Sequence, residues 1–229
     1  THYLKPSMSR NVQNASSVSA KRSESPTMND RTNFERTKEA RDIAYHFHAY
    51  TNALRHAEVG PMIIEDGDGI YVTDSEGRRY IEGLSGLWSV GVGFNEPRLI
   101  NALTQQARKL PFYHNFGHKS HGPAIDLAEK LIALAPVPMS KVFYTNSGSE
   151  ANDTVLKMIW YRSNALGKPE KKKVIARLRG YHGVTIASGS LTGLPNNHRS
   201  FDLPIDRVLH TTSPHYWKEG QPGETEEDF

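Results

Sequence analysis

Five residues, Ser147-Gly148-Ser149 and the pair Tyr181-His182, carry side chains and spacing suited to holding an anionic ligand. Ser147 is followed three residues later by Glu150, the pattern of a capping box, which places a helix start at that point. The first N–H groups of a helix lack intrahelical acceptors, and the helix dipole adds partial positive charge there. Gly148 lets an anion approach the backbone, and Ser147 and Ser149 add hydroxyl donors, so the stretch reads as a phosphate cup. An ordinary capped helix is the competing reading. No Gly-Lys-Ser/Thr closes the loop and no G-x-G-x-x-G occurs, which excludes the two commonest nucleotide-binding fingerprints.

The elements that must position the cup follow from the pattern around it. Lys141-Val142-Phe143-Tyr144 before it reads as a buried strand. After it, Ala151, Val155, Met158, Ile159, Ala165 and Leu166 recur at helical steps, and Gly167 and Pro169 end that helix. Val174-Ile175-Ala176 is the next strand, and strand–helix–strand order predicts a parallel pair of 142 with 174. Tyr181 then falls past the carboxyl end of a parallel strand, where open α/β sheets bind ligands. Val184 to Ser190 is predicted helical, and Arg207 to His210 is one more strand.

Upstream, Met62 to Glu65, Ile70 to Asp74 and Arg79 to Glu82 form an antiparallel meander, with turns at 66–69 and 75–77. Gly83 to Gly93 is a glycine-rich loop holding Leu87 and Trp88. Its composition suits close approach to a ligand, although pattern alone places Trp88 in a core. Pro97 to Lys109 and Ala124 to Leu134 are amphipathic helices, and Thr32 to Tyr45 is helix-compatible. His46 and His48 stand two apart without a carboxylate or third histidine at a ligand spacing, so no metal site is expected.

The chain has 229 residues, 28 basic and 25 acidic, a net charge of +3, too small by itself to indicate nucleic acid. It contains no cysteine, which excludes disulfides, thiol nucleophiles and zinc–thiolate sites and points weakly to an intracellular protein. No apolar run approaches the ~20 residues of a membrane helix. Residues 1 to about 30 are basic, Ser-rich and poor in large apolar groups, and read as a disordered tail with an organelle transit peptide as the alternative. The expected location is cytoplasmic, or mitochondrial if the tail is a leader. Three regions are expected: the tail at 1–30, a small domain with the meander at 31–110, and the start of a larger domain at 111–229.

Gly86-Leu87-Trp88, Thr145 to Thr154, Gly167 to Lys171 and Tyr181-His182-Gly183 together resemble the class III pyridoxal-phosphate-dependent aminotransferases, most closely the omega-amino-acid:pyruvate branch. Ser190 to Gly193 and Phe201 to Pro204 continue the likeness, which runs from about His48 to Phe229. The resemblance implies fold type I, an α/β fold with a seven-stranded, mainly parallel sheet plus a smaller domain, in a homodimer. It implies transfer of an amino group from an amine or omega-amino acid to a keto acid such as pyruvate through pyridoxal 5'-phosphate. It also implies roles: Ser147, Gly148 and Ser149 at the cofactor phosphate, Tyr181 stacked on its ring, and His182 beside it. Leu87 and Trp88 would wall the substrate pocket, and Phe116 would reach the neighbouring subunit's site. In the family pattern the aspartate on the ring nitrogen and the Schiff-base lysine fall beyond Phe229. No catalytic residue is therefore assigned here, and the chain alone is expected to be inactive. Lys157 and Lys171 to Lys173 do not match that position and read as solvated. The alternative function is a non-catalytic truncated paralogue that binds a phosphate ligand or a full-length partner.

Overall fold

The computed structural model describes residues 37–229, in two compact units, one ending at Phe112 and the other running from Tyr113 to Phe229. The tail reading at 1–30 lies outside the described residues, as do the first residues of the helix predicted from Thr32.

In the first unit, α1 (Lys38–Tyr45) starts at Thr37, whose side chain accepts from the Ala40 N–H, and α2 (Ala53–Val59) starts at Asn52, which accepts from Arg55. The meander forms as β1 (Ile64–Asp68), β2 (Tyr71–Asp74) and β3 (Arg79–Ile81), antiparallel in that order. Its first turn is not at 66–69. Asp66, Gly67 and Asp68 belong to β1 and pair with Thr73, Val72 and Tyr71, leaving Gly69-Ile70 as the tight turn. Two glycines explain the shift. Gly69 takes φ +57°, which a two-residue hairpin needs, and Gly67 is pressed on Phe94, whose Cγ would lie 2.8 Å from an added Cβ. Buried Asp74 closes the second turn. Its carboxylate accepts from the Glu76 and Arg78 N–H groups, the Arg78 guanidinium and the Tyr80 hydroxyl, at 2.8–3.0 Å. Burial opposes its charge, but these donors outweigh burial and bring its pKa down from 3.8 to about 2. After α3 (Ser85–Trp88), a single turn, comes α4 (Pro97–Lys109), with Pro at its first position and Glu96 as cap.

In the second unit α5 (Gly122–Leu134) and α6 (Gly148–Ala165) fall where the apolar spacing puts them. The 141–144 stretch does not become a strand: it joins no ladder among the described residues, and Phe143 is 67% exposed. A β-prone sequence without a partner at its edge has no ladder to join. The parallel pair forms instead between β4 (Val174–Arg177) and β5 (Val208–Thr211), in register Val174↔Val208 to Arg177↔Thr211. Their connection carries α7 (Ile186–Leu191), as a parallel crossover requires. Leu156 of α6, Ala176 of β4, Leu191 of α7 and Val208 of β5 form the buried cluster that joins the four elements, flanked by Val174, Ala187 and Ile205. A last short helix, α8 (Tyr216–Glu219), follows β5. No described helix is long and apolar enough to cross a membrane.

Candidate active site

The start of α6 is where a helix end is left open. The Ser147 hydroxyl accepts from the Glu150 N–H at 3.1 Å, one half of the expected capping box. The other half is displaced by one residue, because the Glu150 carboxylate reaches back to the Asn146 N–H at 2.8 Å instead of to Ser147. The first intrahelical bond from this turn is Ala151 N–H to the Ser147 carbonyl. The N–H groups of Ser147, Gly148 and Ser149 therefore have no acceptor among the described residues. An added Cβ on Gly148 would meet nothing within 4 Å beyond its chain neighbours and its own helix backbone.

The second predicted segment docks on this helix end. The Asn152 amide donates to the His182 carbonyl at 2.6 Å, and the Val184 N–H donates to the Ser149 hydroxyl at 3.1 Å. Thr192, fully buried, accepts from the His182 N–H and donates to the Gly183 carbonyl, both at 2.9 Å. Gly183 sits at φ +132°, and a Cβ there would lie 2.5 Å from the Ser149 oxygen and closer still to that of Ser188. Only glycine fits between these hydroxyls. Below it, Asp153 accepts from the Ser188 N–H at 2.9 Å and the Thr185 hydroxyl at 2.8 Å, tying α6 to the start of α7. Tyr181 is left 57% exposed at the edge of this arrangement.

The structure thus brings the 147–149 and 181–184 segments together. Asn152, Asp153, Thr185, Ser188 and Thr192, which hold them in place, escape the sequence reading. The one legible signal is Thr185-x-x-Ser188, which forms a reciprocal cap on α7. Lys172 is not a solvated lysine: its ammonium donates to the Trp160 carbonyl at 2.9 Å and to Asn164 at 2.6 Å, fastening the charged turn to α6.

Leu87 and Trp88 lie in the first unit, and Trp88 is 78% exposed, which overturns its reading as a core residue. From Ser85 to Trp88 every φ is positive, between +50° and +63°, so α3 is a left-handed turn. Such a turn costs about 1–2 kcal/mol for each non-glycine residue. The Glu82 carboxylate holds it, accepting from the Leu84 and Gly86 N–H groups at 2.8 and 2.6 Å. Strain that the surroundings maintain is characteristic of ligand-contacting segments. Phe116, in the second unit, is exposed on the irregular segment before α5, with its N–H donating to His114 Nδ1.

The expectation that no carboxylate or third histidine stands at a ligand spacing from His46 and His48 is corrected. Asp42 faces both of them, and His56 joins from α2. Asp42 and His46 stand at a helical i,i+4 spacing that the sequence does show, whereas His48 and His56 join from the following loop and the next helix.

Comparison with known proteins bears on the whole arrangement. Residues 53–222 match the family model for aminotransferase class-III. The chain is 52% identical over 181 residues to gamma aminobutyrate transaminase 1, mitochondrial, of Solanum lycopersicum, covering 79% of this chain and 35% of that relative. It spans about a third of the length of the curated relatives it matches. Among solved structures it is similar to the omega transaminase of Pseudomonas jessenii in complex with PMP, with TM-score 0.83 and 61% identity over 84% of this chain and 43% of that one. It is also similar to a transaminase with L-ala, with TM-score 0.78 and 69% identity over the same shares. The fold is part of fold type I, here a small antiparallel sheet in one unit and a parallel pair in the other. The chain belongs to the class III aminotransferase family.

Proposed function

We propose that this chain supplies the phosphate-binding part of an aminotransferase that moves an amino group from an amine or omega-amino acid to a keto acid such as pyruvate. The observation that carries the proposal is a helix start at which the N–H groups of Ser147, Gly148 and Ser149 have no acceptor among the described residues. Donors of this kind, with the helix dipole behind them, suit a dianionic phosphate, and pyridoxal 5'-phosphate fits the donor set. When bound, it supplies the electron sink for amino-group transfer.

The residues of the chain do the rest. Ser147, Gly148 and Ser149 bind the phosphate. Asn152, Asp153 and Thr192 fix the loop that presents Tyr181 to the cofactor ring and keeps His182 beside it. Leu87 and Trp88 limit the substrate's size, and the strained turn sets their direction. Phe116 serves a second copy's site, so the working form is a homodimer. The substrates are small molecules, and neither nucleic acid nor a membrane enters the scheme. Relatives named as mitochondrial support that location over the cytoplasm, together with the basic, acid-free composition of residues 1–23.

The test is to isolate the protein as its cells make it and assay alanine formation from pyruvate with 4-aminobutyrate or with an arylalkyl amine. Alanine formed with either donor, dependent on pyridoxal phosphate, is expected. Cofactor binding without turnover of any donor would favour the non-catalytic reading.

A further inference from the structure

We propose that Asp42, His48 and His56 form a site for a divalent transition metal such as zinc or cobalt, with His46 orienting the carboxylate. His48 Nε2 and His56 Nε2 both converge on the same oxygen, Asp42 Oδ2, at 2.7 and 2.9 Å, and His46 Nδ1 lies 2.9 Å from the other oxygen. The three potential ligand atoms all lie within 4.8 Å of one another. Metal–nitrogen and metal–oxygen bonds of about 2.0–2.2 Å need separations of that order, so a small outward movement of the rings admits the ion.

Three features favour a metal over a purely hydrogen-bonded cluster. The imidazoles are crowded, with ring centroids 4.3 Å apart for His46–His48 and 4.4 Å for His48–His56, so their nitrogens are gathered around one carboxylate. The Asp42 and His56 side chains are largely shielded, at 14% and 13% exposure, so the lone pairs are not freely hydrated. A cavity of about 230 Å³, lined by residues that include His46, His48, Thr51 and His56, adjoins the cluster and leaves room for water at the remaining coordination positions. Two nitrogens and one carboxylate oxygen, with open positions, match the N/O preference of zinc and its neighbours. On binding, the proton on each Nε2 passes through solvent to Nδ1, so a neutral ring keeps its proton count. The ion then links α1, the 46–52 segment and α2. The His46 bond to Oδ1 is the outer contact that fixes the carboxylate's direction.

The experiment uses the tag-free 229-residue chain, stripped with chelator and titrated with Co2+ while visible absorption is followed. Saturation at one Co2+ per chain is expected. His46→Ala should weaken binding about tenfold, and His48→Ala with His56→Ala about a hundredfold or more. Saturation that survives the double substitution, or no saturable band at all, overturns the proposal. Should the double variant not fold, the parent protein alone decides: each of the 11 histidines is mapped by carbethoxylation with and without Zn2+. Protection of His48 and His56 supports the site, and full modification of both in the presence of Zn2+ overturns it.

Discussion

Gly183 must satisfy two demands at once. Its φ of +132° is unfavourable for L side chains, and two hydroxyl oxygens occupy the place of a Cβ. Gly183→Ala combines backbone strain with overpacking and should cost on the order of 2–3 kcal/mol, read as a lower midpoint in urea unfolding. With Asp42, lowered to the same extent, Asp74 is one of the carboxyls that contribute to the acid limb. Its carboxyl is held at about 2 in the fold against an ordinary 3.8, so its contribution to stability is complete above about 4 and is lost as pH falls toward 2. Asp74→Asn should lower stability at neutral pH and flatten the acid-induced loss over that window. The residues expected to touch ligand were proposed from small and hydroxyl residues at a capped helix start, a pattern that is local in sequence. The residues that brace them were not. Asn152 acts on the backbone of a loop 30 residues away and Thr192 on the same loop from across α7, and no local pattern announces such a partner.

Helices were the more legible elements. Pro97–Lys109 matches its predicted range, and α5 and α6 differ by a residue or two, since apolar period and caps are local properties. Strands depend on a partner. Val142 to Tyr144 has the composition of a strand and none of the pairing, while 174 pairs with 208 across an intervening helix. The meander kept its order but moved its first turn, because Gly67 serves the Phe94 ring and Gly69 serves the turn, a division that Asp-Gly-Asp-Gly does not reveal. The junction of α6 with α7 rests on Asp153, which satisfies the Ser188 N–H and the Thr185 hydroxyl. Asp153→Ala removes that acceptor and should cost about 1–3 kcal/mol, with Asp153→Asn milder because an oxygen remains. Equal urea midpoints for Asp153→Ala and parent would remove this residue from the account.

For the whole molecule, family and fold follow from motifs in order along the chain, and the 53–222 match agrees with them. The described residues hold a two-stranded parallel pair, so the seven-stranded sheet implied by the resemblance is not seen within them. The central claim is that the start of α6 binds the cofactor's phosphate. The most direct measurement is calorimetric titration of the chain with pyridoxamine phosphate and with pyridoxamine, neither of which bears an aldehyde to react with surface lysines. The phosphate ester should bind, and pyridoxamine should bind at least about tenfold more weakly, as expected for loss of charge-assisted hydrogen bonds worth about 1.5–3 kcal/mol. Ser149→Asp, which sets like charge against the phosphate, should remove that difference. Equal affinity for the two compounds, or undiminished binding of the phosphate ester by Ser149→Asp, would contradict the assignment.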